Sequence, residues 1–431
     1  MRAIVFALSL VLIFIIPWEG AVNIPGLGTE GSSTLTRLLG LGVGALWLVT
    51  VIFTGRFRKP GLFHLILLLF VLWNAASVFW SADPNNTLAY VGTWVQLLVL
   101  TLILWDLYNT KAAILAGLQA YVLGAYIALG SAVSNFLGGN AYYTHYERYS
   151  AGDTNPDGFG FILALGIPVA WYLASSESTT RWGKLFKVIN YAYIPAAFLG
   201  IALSGTSTAM IAAIPGMAFG LASLTRLSLW AKVTIFLFLV SAVFILQPYV
   251  QPLRSFQRLG TTGAEITEGD LNERKDIWRE GIDSFVEHPL LGIGGNMYRS
   301  INILGKVAHN SYLSVLVELG LIGFILFGTI LVIAFIQAWG LPKWDSLLWL
   351  TILLVWAIGA STLTWEYRKT TWLFLGLLIT TAALIGRRDE SAARSQRSEP
   401  VSRAVLFAKR SQLSRGEYDP VTRSFLKGKA R

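Results

Sequence analysis

Long apolar runs recur along the whole chain and decide what it can fold into. Runs such as 62–79, 186–203 and 233–246 come close to the ~20 residues that span a hydrocarbon core ~30 Å thick. Hydrophobic residues make up 54% of the sequence and charged residues 13%, which is more apolar surface than a soluble domain can usually bury. Because no water satisfies backbone groups at membrane depth, such runs must be helical. The sequence therefore predicts an all-α polytopic membrane protein.

The apolar runs predict about twelve transmembrane helices. The runs are 3–16, 35–53, 61–79, 88–105, 112–136, 158–174, 186–203, 208–223, 233–247, 311–337, 345–363 and 370–386. The first run is short enough to be the apolar part of a signal peptide, but no small-x-small cleavage site follows it directly. We therefore expect an uncleaved first helix.

Lysine and arginine residues concentrate in alternate loops, and this assigns the two sides of the membrane. The basic loops are "GRFRKP", "STTRWGKLF", "TRLSLWAK", "GLPKW" and "GRRDE". We expect them on the cytoplasmic side, together with both termini. The outer loops are then 81–87, 138–160, 247–308 and 364–370, and a large extracytoplasmic loop separates the ninth helix from the tenth.

The predicted organisation has four parts. Residues 1–247 hold helices one to nine, 248–308 form the large outer loop, 309–386 hold the last three helices, and 387–431 form a tail. The tail carries 12 Lys/Arg and 5 Asp/Glu, so we predict a largely disordered cytoplasmic segment that can contact anionic membrane lipid. Nothing in it resembles a nucleic-acid recognition module, and no nucleic-acid partner is expected. The chain has no cysteine, which excludes disulfides and thiolate metal sites.

The large outer loop contains one predicted helix, over residues 272–287. Asn272 can cap it and Pro289 ends it. Its apolar stripe is formed by Ile277, Trp278, Ile282, Phe285 and Val286. Arg274 stands one turn before Trp278 at the edge of this stripe, where a charge needs an anionic partner or a wet cavity. The glycine-rich stretch "HPLLGIGGNMY" that follows predicts tight turns against other backbone.

The chain re-enters the membrane at His309, on the same outer side as Arg274. We expect a cavity at the outer edge of the bilayer that can hold both, while a solvent-facing interfacial histidine is the alternative. Glu318 lies about 13 Å further into the helix, where a carboxylate costs ~2.5 kcal/mol or more. It must be neutral, paired or facing a wet cavity. Glu366 and Arg368 either pair with each other or line the same cavity.

A second outer loop, "YYTHYERYSAGDTNPDGFG", places Arg148 among four tyrosines. The tyrosines are Tyr142, Tyr143, Tyr146 and Tyr149. This arrangement suits stacking on sugars and pairing with a phosphate. An aromatic belt at the membrane interface with a snorkelling arginine is the alternative.

The stretches "RKDIWREGIDSFVEHPLLGIGG" and "HNSYLSVLVELG" resemble, in order and spacing, the signature of the O-antigen ligase and polymerase superfamily of bacterial membrane glycosyltransferases, which are GT-C-like. The predicted topology is similar up to about residue 386. "ERYSAGDTNPDGFG" resembles the earlier outer-loop pattern of that family, with the order reversed to Asn155-Pro156. One departure is that "LSGTSTAM" lacks the arginine of the family's Ser-Arg-Gly-type element, and Arg148, Arg254 or Arg258 is expected to replace it.

The resemblance implies a multi-pass glycosyltransferase of the bacterial cytoplasmic (inner) membrane, with its active site facing the periplasm. The donor would be a glycan on undecaprenyl diphosphate, and the acceptor a glycolipid such as lipid A-core. The reaction would be inverting and would need no metal or other cofactor. His309 is the expected general base or acceptor-positioning group, and Arg274 is expected to hold the diphosphate. The expected substrate-binding residues are Arg148, Asn310, Tyr312, Trp278, Arg254, Arg258 and Glu318.

Other functions compete with the ligase prediction. A polymerase of the same superfamily differs only in its acceptor, and Arg258 with Gly269 matches an Arg-x10-Gly spacing linked to polymerases. The block from Trp278 to Gly320 favours the ligase branch. A transporter or flippase of lipid-linked saccharide would carry charges along its spans, whereas these charges gather in outer loops. A structural scaffold would leave Arg274 and His309 unexplained.

Overall fold

The computed structural model describes most of the membrane-embedded chain. The described residues are 1–19, 34–144, 147–152, 154–176, 180–224, 229–250 and 274–386. Residues 1–382 form one compact unit, and of the second unit, 383–431, only 383–386 are described. The predicted tail, the first part of the large outer loop with Arg254, Arg258, Gly269 and Asn272, and Tyr146 lie outside the described residues.

Each predicted apolar run corresponds to a helix, and no β-strand occurs in the described residues. The helices are α1 (Arg2–Ile15), α2 (Thr34–Thr54), α3 (Leu62–Ala76), α4 (Pro84–Leu107), α5 (Lys111–Leu137), α6 (Pro156–Ser175), α7 (Arg181–Ser204), α8 (Ser207–Leu224), α9 (Leu229–Val250), α10 (Arg274–Glu287), α11 (Ser311–Trp339), α12 (Lys343–Ala360) and α13 (Lys369–Gly386). The predicted all-α polytopic membrane protein is confirmed.

Nine of the described helices, α2 to α7 and α11 to α13, are long and apolar enough to cross a membrane. The helices α1 and α8 are apolar but shorter. Twelve spans therefore stay a prediction. The helix α10, predicted over 272–287, is observed from Arg274 to Glu287, and it is too polar to be a span.

The reversed Asn155-Pro156 order is explained by the start of α6. Asn155 is the N-cap, and its side-chain oxygen accepts a hydrogen bond from the backbone N–H of Asp157 at 2.8 Å. Pro156 takes the first helical position, where its missing N–H costs nothing. This cap fixes the place where the second outer loop enters the bundle, and almost every residue of α6 beyond it is buried.

The segments predicted on the outer side meet on one face of the protein. The Thr87 hydroxyl donates to the carbonyl of Gly295 at 2.8 Å, and the backbone N–H of His309 donates to Thr364 Oγ1 at 3.0 Å. Loops 81–87 and 364–370 therefore both contact the last part of the large outer loop. These contacts agree with the predicted sides.

Basic segments predicted on the other side also lie together. Arg2 forms an ion pair with Asp106 at 2.9 Å, and the backbone N–H of Arg58 donates to Asp106 Oδ1 at 3.1 Å. The start of α1, the loop after α2 and the end of α4 therefore share one face.

The helix α11 is broken at Gly320. Its backbone there has φ 65° and ψ −170°, a conformation that is essentially restricted to glycine. The loop between α10 and α11 enters the break, and a Cβ atom on Gly320 would lie 2.2 Å from the carbonyl oxygen of Leu290. A Cβ atom on Gly292 would likewise lie 2.4 Å from the carbonyl oxygen of Glu318. The backbones of the loop and of α11 are therefore in direct contact at Gly292 and Gly320, which have no Cβ atom.

Hydrogen bonds between the loop and α11 replace those that the break removes from the helix. A helix that is interrupted in a membrane must satisfy its freed backbone groups inside the protein. The bonds are Ile293 N to Val317 O at 3.2 Å, Gly294 N to Glu318 O at 2.9 Å, Leu321 N to Pro289 O at 2.9 Å and Ile322 N to Leu290 O at 3.4 Å. The first turns of α11, which follow His309, are thus fixed to the outer loop.

Candidate functional site

A cavity of about 370 Å³, here called the outer cavity, lies where the outer segments meet. Its lining comes from the end of α1, the second outer loop, the start of α6, the segment before α11 and the loop between α12 and α13. Its ionisable residues include Glu19, Asp157, Arg299, His309, Arg368 and Lys369. The cationic groups outnumber the carboxylates, so the cavity is suited to an anionic ligand.

His309 lines this cavity with a strained backbone. Its φ is +49°, a left-handed conformation that is uncommon outside glycine and that costs free energy. The neighbouring contacts hold His309 in this conformation. Its backbone N–H donates a hydrogen bond to Thr364 Oγ1, and the preceding residue, Ala308, is fully buried. The imidazole itself makes no hydrogen bond with the described part of the chain. Its nitrogen atoms are therefore available to a ligand.

The surroundings of His309 keep its ring neutral. Burial lowers the pKa of His309 to about 4, the positive charge of Arg274 lowers it as well, and Asp157 acts in the opposite direction. Arg274 and His309 therefore lie within electrostatic range of each other, on the same side of the protein. At pH 7 the imidazole is uncharged and can accept a proton.

The helix α10 is fixed beside His309 by a hydrogen bond and by an apolar cluster. Trp278 Nε1 donates to the carbonyl of Ala308 at 2.7 Å, directly before His309 in the chain. Ile277, Tyr298 and Ala308 form the centre of a buried cluster against which Trp278 packs. Because Arg274 stands one turn before Trp278, this packing brings Arg274 within electrostatic range of His309. Neither Arg274 nor Trp278 lines the outer cavity, so the predicted cavity that holds both Arg274 and His309 is not observed over the described ranges, and the substrate-binding role of Trp278 stays a prediction.

The predicted apolar stripe of α10 is only partly buried. Ile277 is 1% exposed, and Trp278 and Phe285 pack on the same cluster. Ile282 and Val286 are instead 52% and 70% exposed, so only part of the predicted apolar stripe is buried. The reason is that the described residues pack against only one edge of this short helix.

Glu318 has a structural partner rather than a place in the cavity. Its carboxylate accepts hydrogen bonds from the backbone N–H groups of Asn296 at 2.9 Å and Tyr298 at 3.1 Å. It is 7% exposed and does not line the outer cavity. Pairing, one of the three predicted possibilities, is therefore observed, and the partner is the turn after Gly295. The substrate-binding role of Glu318 stays a prediction.

Arg148 contacts the segment "LSGTSTAM", which lacks the arginine of the family's Ser-Arg-Gly-type element. Its Nε atom donates to the carbonyl of Ser204 at 2.7 Å, and its Nη2 atom bonds to Asp157 at 2.6 Å and to Thr206 at 3.2 Å. The guanidinium thus occupies the turn between α7 and α8. Arg148 is buried and does not itself line the outer cavity, whereas Asp157 does. Its predicted contact with a phosphate stays a prediction, and the geometry favours positioning of Asp157.

Asn310 and Tyr312 also make contacts within the protein. The side-chain oxygen of Asn310 accepts from the N–H groups of Tyr312 and Leu313 at 3.0 Å, which caps α11. The Tyr312 hydroxyl lies 3.5 Å from the carbonyl of Ala357. Neither residue lines the outer cavity, and their sugar-orienting role stays a prediction.

Comparisons with known proteins agree with this geometry. Residues 192–328 match the family described as "O-Antigen ligase". "Exopolysaccharide production protein ExoQ" of Rhizobium meliloti (strain 1021) is 25% identical over 296 residues, which cover 63% of this chain and 64% of that protein. The resemblance to the O-antigen ligase and polymerase superfamily is confirmed. The match spans less than two thirds of the ExoQ chain.

The part that matches the O-antigen ligase family contains the central features of the site. Arg274, His309 and the break at Gly320 all lie within 192–328. Arg148, Asp157 and the loop between α12 and α13 lie outside it. Asp157 and the loop between α12 and α13 line the same cavity as His309 of the matched part.

Sequence reasoning missed several residues of the cavity. Arg299 and Asp157 carry no periodic signal, although the Asn-Pro-Asp start of α6 could have indicated the second. Arg368 lines the cavity but Glu366 does not, so the prediction that both line it holds only for Arg368. The alternative pairing with Glu366 is not observed, since no ion pair within 4.0 Å joins them in the described chain. Burial raises the pKa of Glu366 to about 7.

Proposed function

We propose that this protein is a glycosyltransferase that moves a glycan from undecaprenyl diphosphate to an acceptor hydroxyl at the periplasmic face of a bacterial inner membrane. The observation that carries the proposal is a neutral imidazole, His309, in a cavity whose other charged side chains are mainly cationic. The family match supports transfer of a lipid-linked saccharide. In this topology the basic loops and the tail are cytoplasmic.

The cationic groups suit a diphosphate leaving group. Negative charge develops on the diphosphate as its bond to the sugar breaks, and fixed cations lower the energy of that state. Arg299 and Arg368 line the cavity, and Arg274 acts on His309 electrostatically. Arg368 Nε has no hydrogen-bond partner among the described residues, so an anionic oxygen would satisfy it. A charge-assisted bond of this kind is stronger than a neutral one.

His309 receives the proton of the acceptor in this mechanism. The acceptor oxygen forms a bond to the anomeric carbon, the carbon–oxygen bond to the diphosphate breaks, and undecaprenyl diphosphate leaves with the electron pair. The acceptor proton passes to the imidazole, and Asp157 is placed to stabilise the imidazolium. Direct displacement inverts the anomeric centre. No cofactor takes part in these steps.

The acceptor separates two candidate functions. The family description favours an O-antigen ligase, and the acceptor that we propose for a ligase is lipid A-core. The name of the Rhizobium meliloti relative refers to exopolysaccharide production and favours a polymerase, with a second lipid-linked repeat as acceptor. We propose the ligase first.

Purified protein incubated with lipid-linked oligosaccharide, with and without lipid A-core, tests both. A product that shifts only with the core indicates a ligase, and a ladder without the core indicates a polymerase. No product under either condition, from a folded protein, would contradict the proposal and favour transport.

Two variants test the assigned residues. Arg274→Ala and His309→Asn should each lose most of the transfer rate, and asparagine is chosen because it tolerates the left-handed backbone at this position. Lys275→Ala and His288→Ala are matched controls, since both side chains are exposed on the same outer segment. Near wild-type rates in the folded Arg274 and His309 variants would show that the roles are wrong.

A further inference from the structure

A second large cavity, here called the apolar groove, lies within the membrane-spanning part of the protein. Its volume is about 350 Å³, and its walls come from α1, α2 and α4. The lining of α2 extends from Thr36 to Leu48, which is about 18 Å at 1.5 Å per residue. This is more than half of a hydrocarbon core ~30 Å thick. The groove is therefore long enough to take an extended lipid chain across about one whole leaflet.

The walls of the groove are apolar and open towards the bilayer. Its lining residues include Leu12 of α1, Ile16 directly after α1, Gly40 and Leu48 of α2, and Val95 of α4. Leu48 and Val95 are exposed. An apolar chain could therefore enter sideways from the membrane.

The groove ends at a cationic residue of the functional site. Lys369, the first residue of α13, lines the groove and also the outer cavity. A third cavity of about 210 Å³ shares lining residues with both, and its ionisable side chains include Arg37, Arg368, Lys369 and Glu19. Lys369 pairs with Glu19 at 2.6 Å, so these side chains leave an excess of positive charge. Three neighbouring cavities thus change from apolar to cationic along one path.

We propose that the apolar groove binds the isoprenoid chain of the donor lipid, with its phosphate groups beside Lys369 and Arg368. The proposal rests on the proposed function, because it takes the donor to be a polyprenyl diphosphate. A ligand of this site must combine a long apolar chain with an anionic head, since the groove accommodates the chain and the cations bind the head. The head then reaches the outer cavity that contains His309.

The glycines of α2 allow a specific test. A Cβ atom on Gly40 would find its nearest neighbour, Leu12 Cδ1, at 3.9 Å, so a leucine there fits at the backbone and fills the groove with its side chain. A Cβ atom on Gly42 would find nothing within 4 Å, and Gly42 does not line the groove. Gly40→Leu is therefore the blocking variant and Gly42→Leu its matched control. Val95→Trp blocks the groove from the opposite wall.

The experiment measures binding without catalysis. Each protein is placed in nanodiscs of defined phospholipid, and binding of labelled, glycan-free undecaprenyl diphosphate is titrated. We expect roughly tenfold weaker binding for Gly40→Leu and Val95→Trp, since lost contact with a few methylene groups is enough, and wild-type binding for Gly42→Leu. Inorganic pyrophosphate, which has no chain, should bind all four proteins equally. Unfolding temperatures establish that the variants are folded, and Val95→Trp carries the test if Gly40→Leu does not fold.

The outcomes separate this proposal from the proposed function. If both blocking variants bind the lipid like wild type, or if phosphatidylglycerol displaces it as well as unlabelled ligand does, the groove is not a donor site. If the wild type binds the lipid in a groove-dependent way but transfers no glycan, the proposed function fails and the groove proposal stands. If glycan transfer occurs and the blocking variants keep wild-type binding, only the groove proposal fails.

Discussion

The substitution Gly320→Ala tests the broken helix most directly. Gly320 holds φ 65° and ψ −170°, and its added methyl group would lie 2.2 Å from the carbonyl oxygen of Leu290. Neither the backbone conformation nor the contact can be kept. The loop must retreat from α11, and hydrogen bonds that cross the break are lost.

The expected cost follows from these two effects. A residue with a side chain in such a backbone conformation lowers the free energy of unfolding by ~1–3 kcal/mol. The bonds from Leu321 N to Pro289 O and from Ile322 N to Leu290 O contribute ~1 kcal/mol each, and more if the donors stay buried without partners. Together these give about 3–5 kcal/mol. At about 2 °C per kcal/mol for a chain of this size, the unfolding temperature falls by roughly 6–10 °C.

The assay is thermal unfolding of the purified protein in detergent, with Gly328→Ala as control. Gly328 lies in the same helix, and a Cβ atom there would find nothing within 4 Å. Alanine favours a helix over glycine by ~1 kcal/mol, so this control should be unchanged or slightly more stable. Because the first turns of α11 follow His309, Gly320→Ala should also reduce glycan transfer. If Gly320→Ala unfolds at the wild-type temperature, the loop does not bridge the break as described.

Three further predictions concern the site. Because the pKa of His309 is lowered to about 4, its imidazole stays in the base form until the pH falls to about 4. The transfer rate should therefore decrease on the acid side only near pH 4. A decrease near pH 6.5 would contradict the burial of the ring. Glu318→Gln should lower the free energy of unfolding by ~1–3 kcal/mol in a denaturant titration, because an amide cannot accept both N–H groups of the 296–298 turn. Unchanged stability would count against the pairing of Glu318 with this turn. Trp278→Phe removes the hydrogen bond to the carbonyl before His309 and should lower kcat more than it changes KM, whereas an unchanged kcat would show that this bond does not position the base.

Local patterns predicted much of the fold and the centre of the site. Apolar runs record burial in the membrane, so the helices were predicted within a few residues of their observed ends. The helix at Arg274–Glu287 was predicted because Pro289 and the apolar spacing are local signals. The alternation of loops predicted that Arg274 and His309 lie on one side, but their approach to each other depends on the packing of α10.

Contacts between distant segments were beyond the same reasoning. The run from 311 to 337 predicts one continuous helix, because periodicity does not record which backbone groups bond across a break. The glycine-rich turn indicated a close approach to other backbone, but its partner at Gly320 is set by the three-dimensional packing. Arg148 was predicted to face a substrate, yet its partners at Ser204 and Asp157 are brought to it by the ends of α6 and α7.

The break at Gly320 also limits how this protein can be recombined with its relatives. The stretch from His288 to Ile322 holds both sides of every hydrogen bond across the break, with Gly292 and Gly320 in direct backbone contact. A chimera that joins a loop from one parent to a helix from another would have to match the two in register, residue by residue. One residue inserted or deleted within 289–294 or 317–322 would put some of these bonds out of register. Domain exchange should therefore transplant 288–322 as a single block.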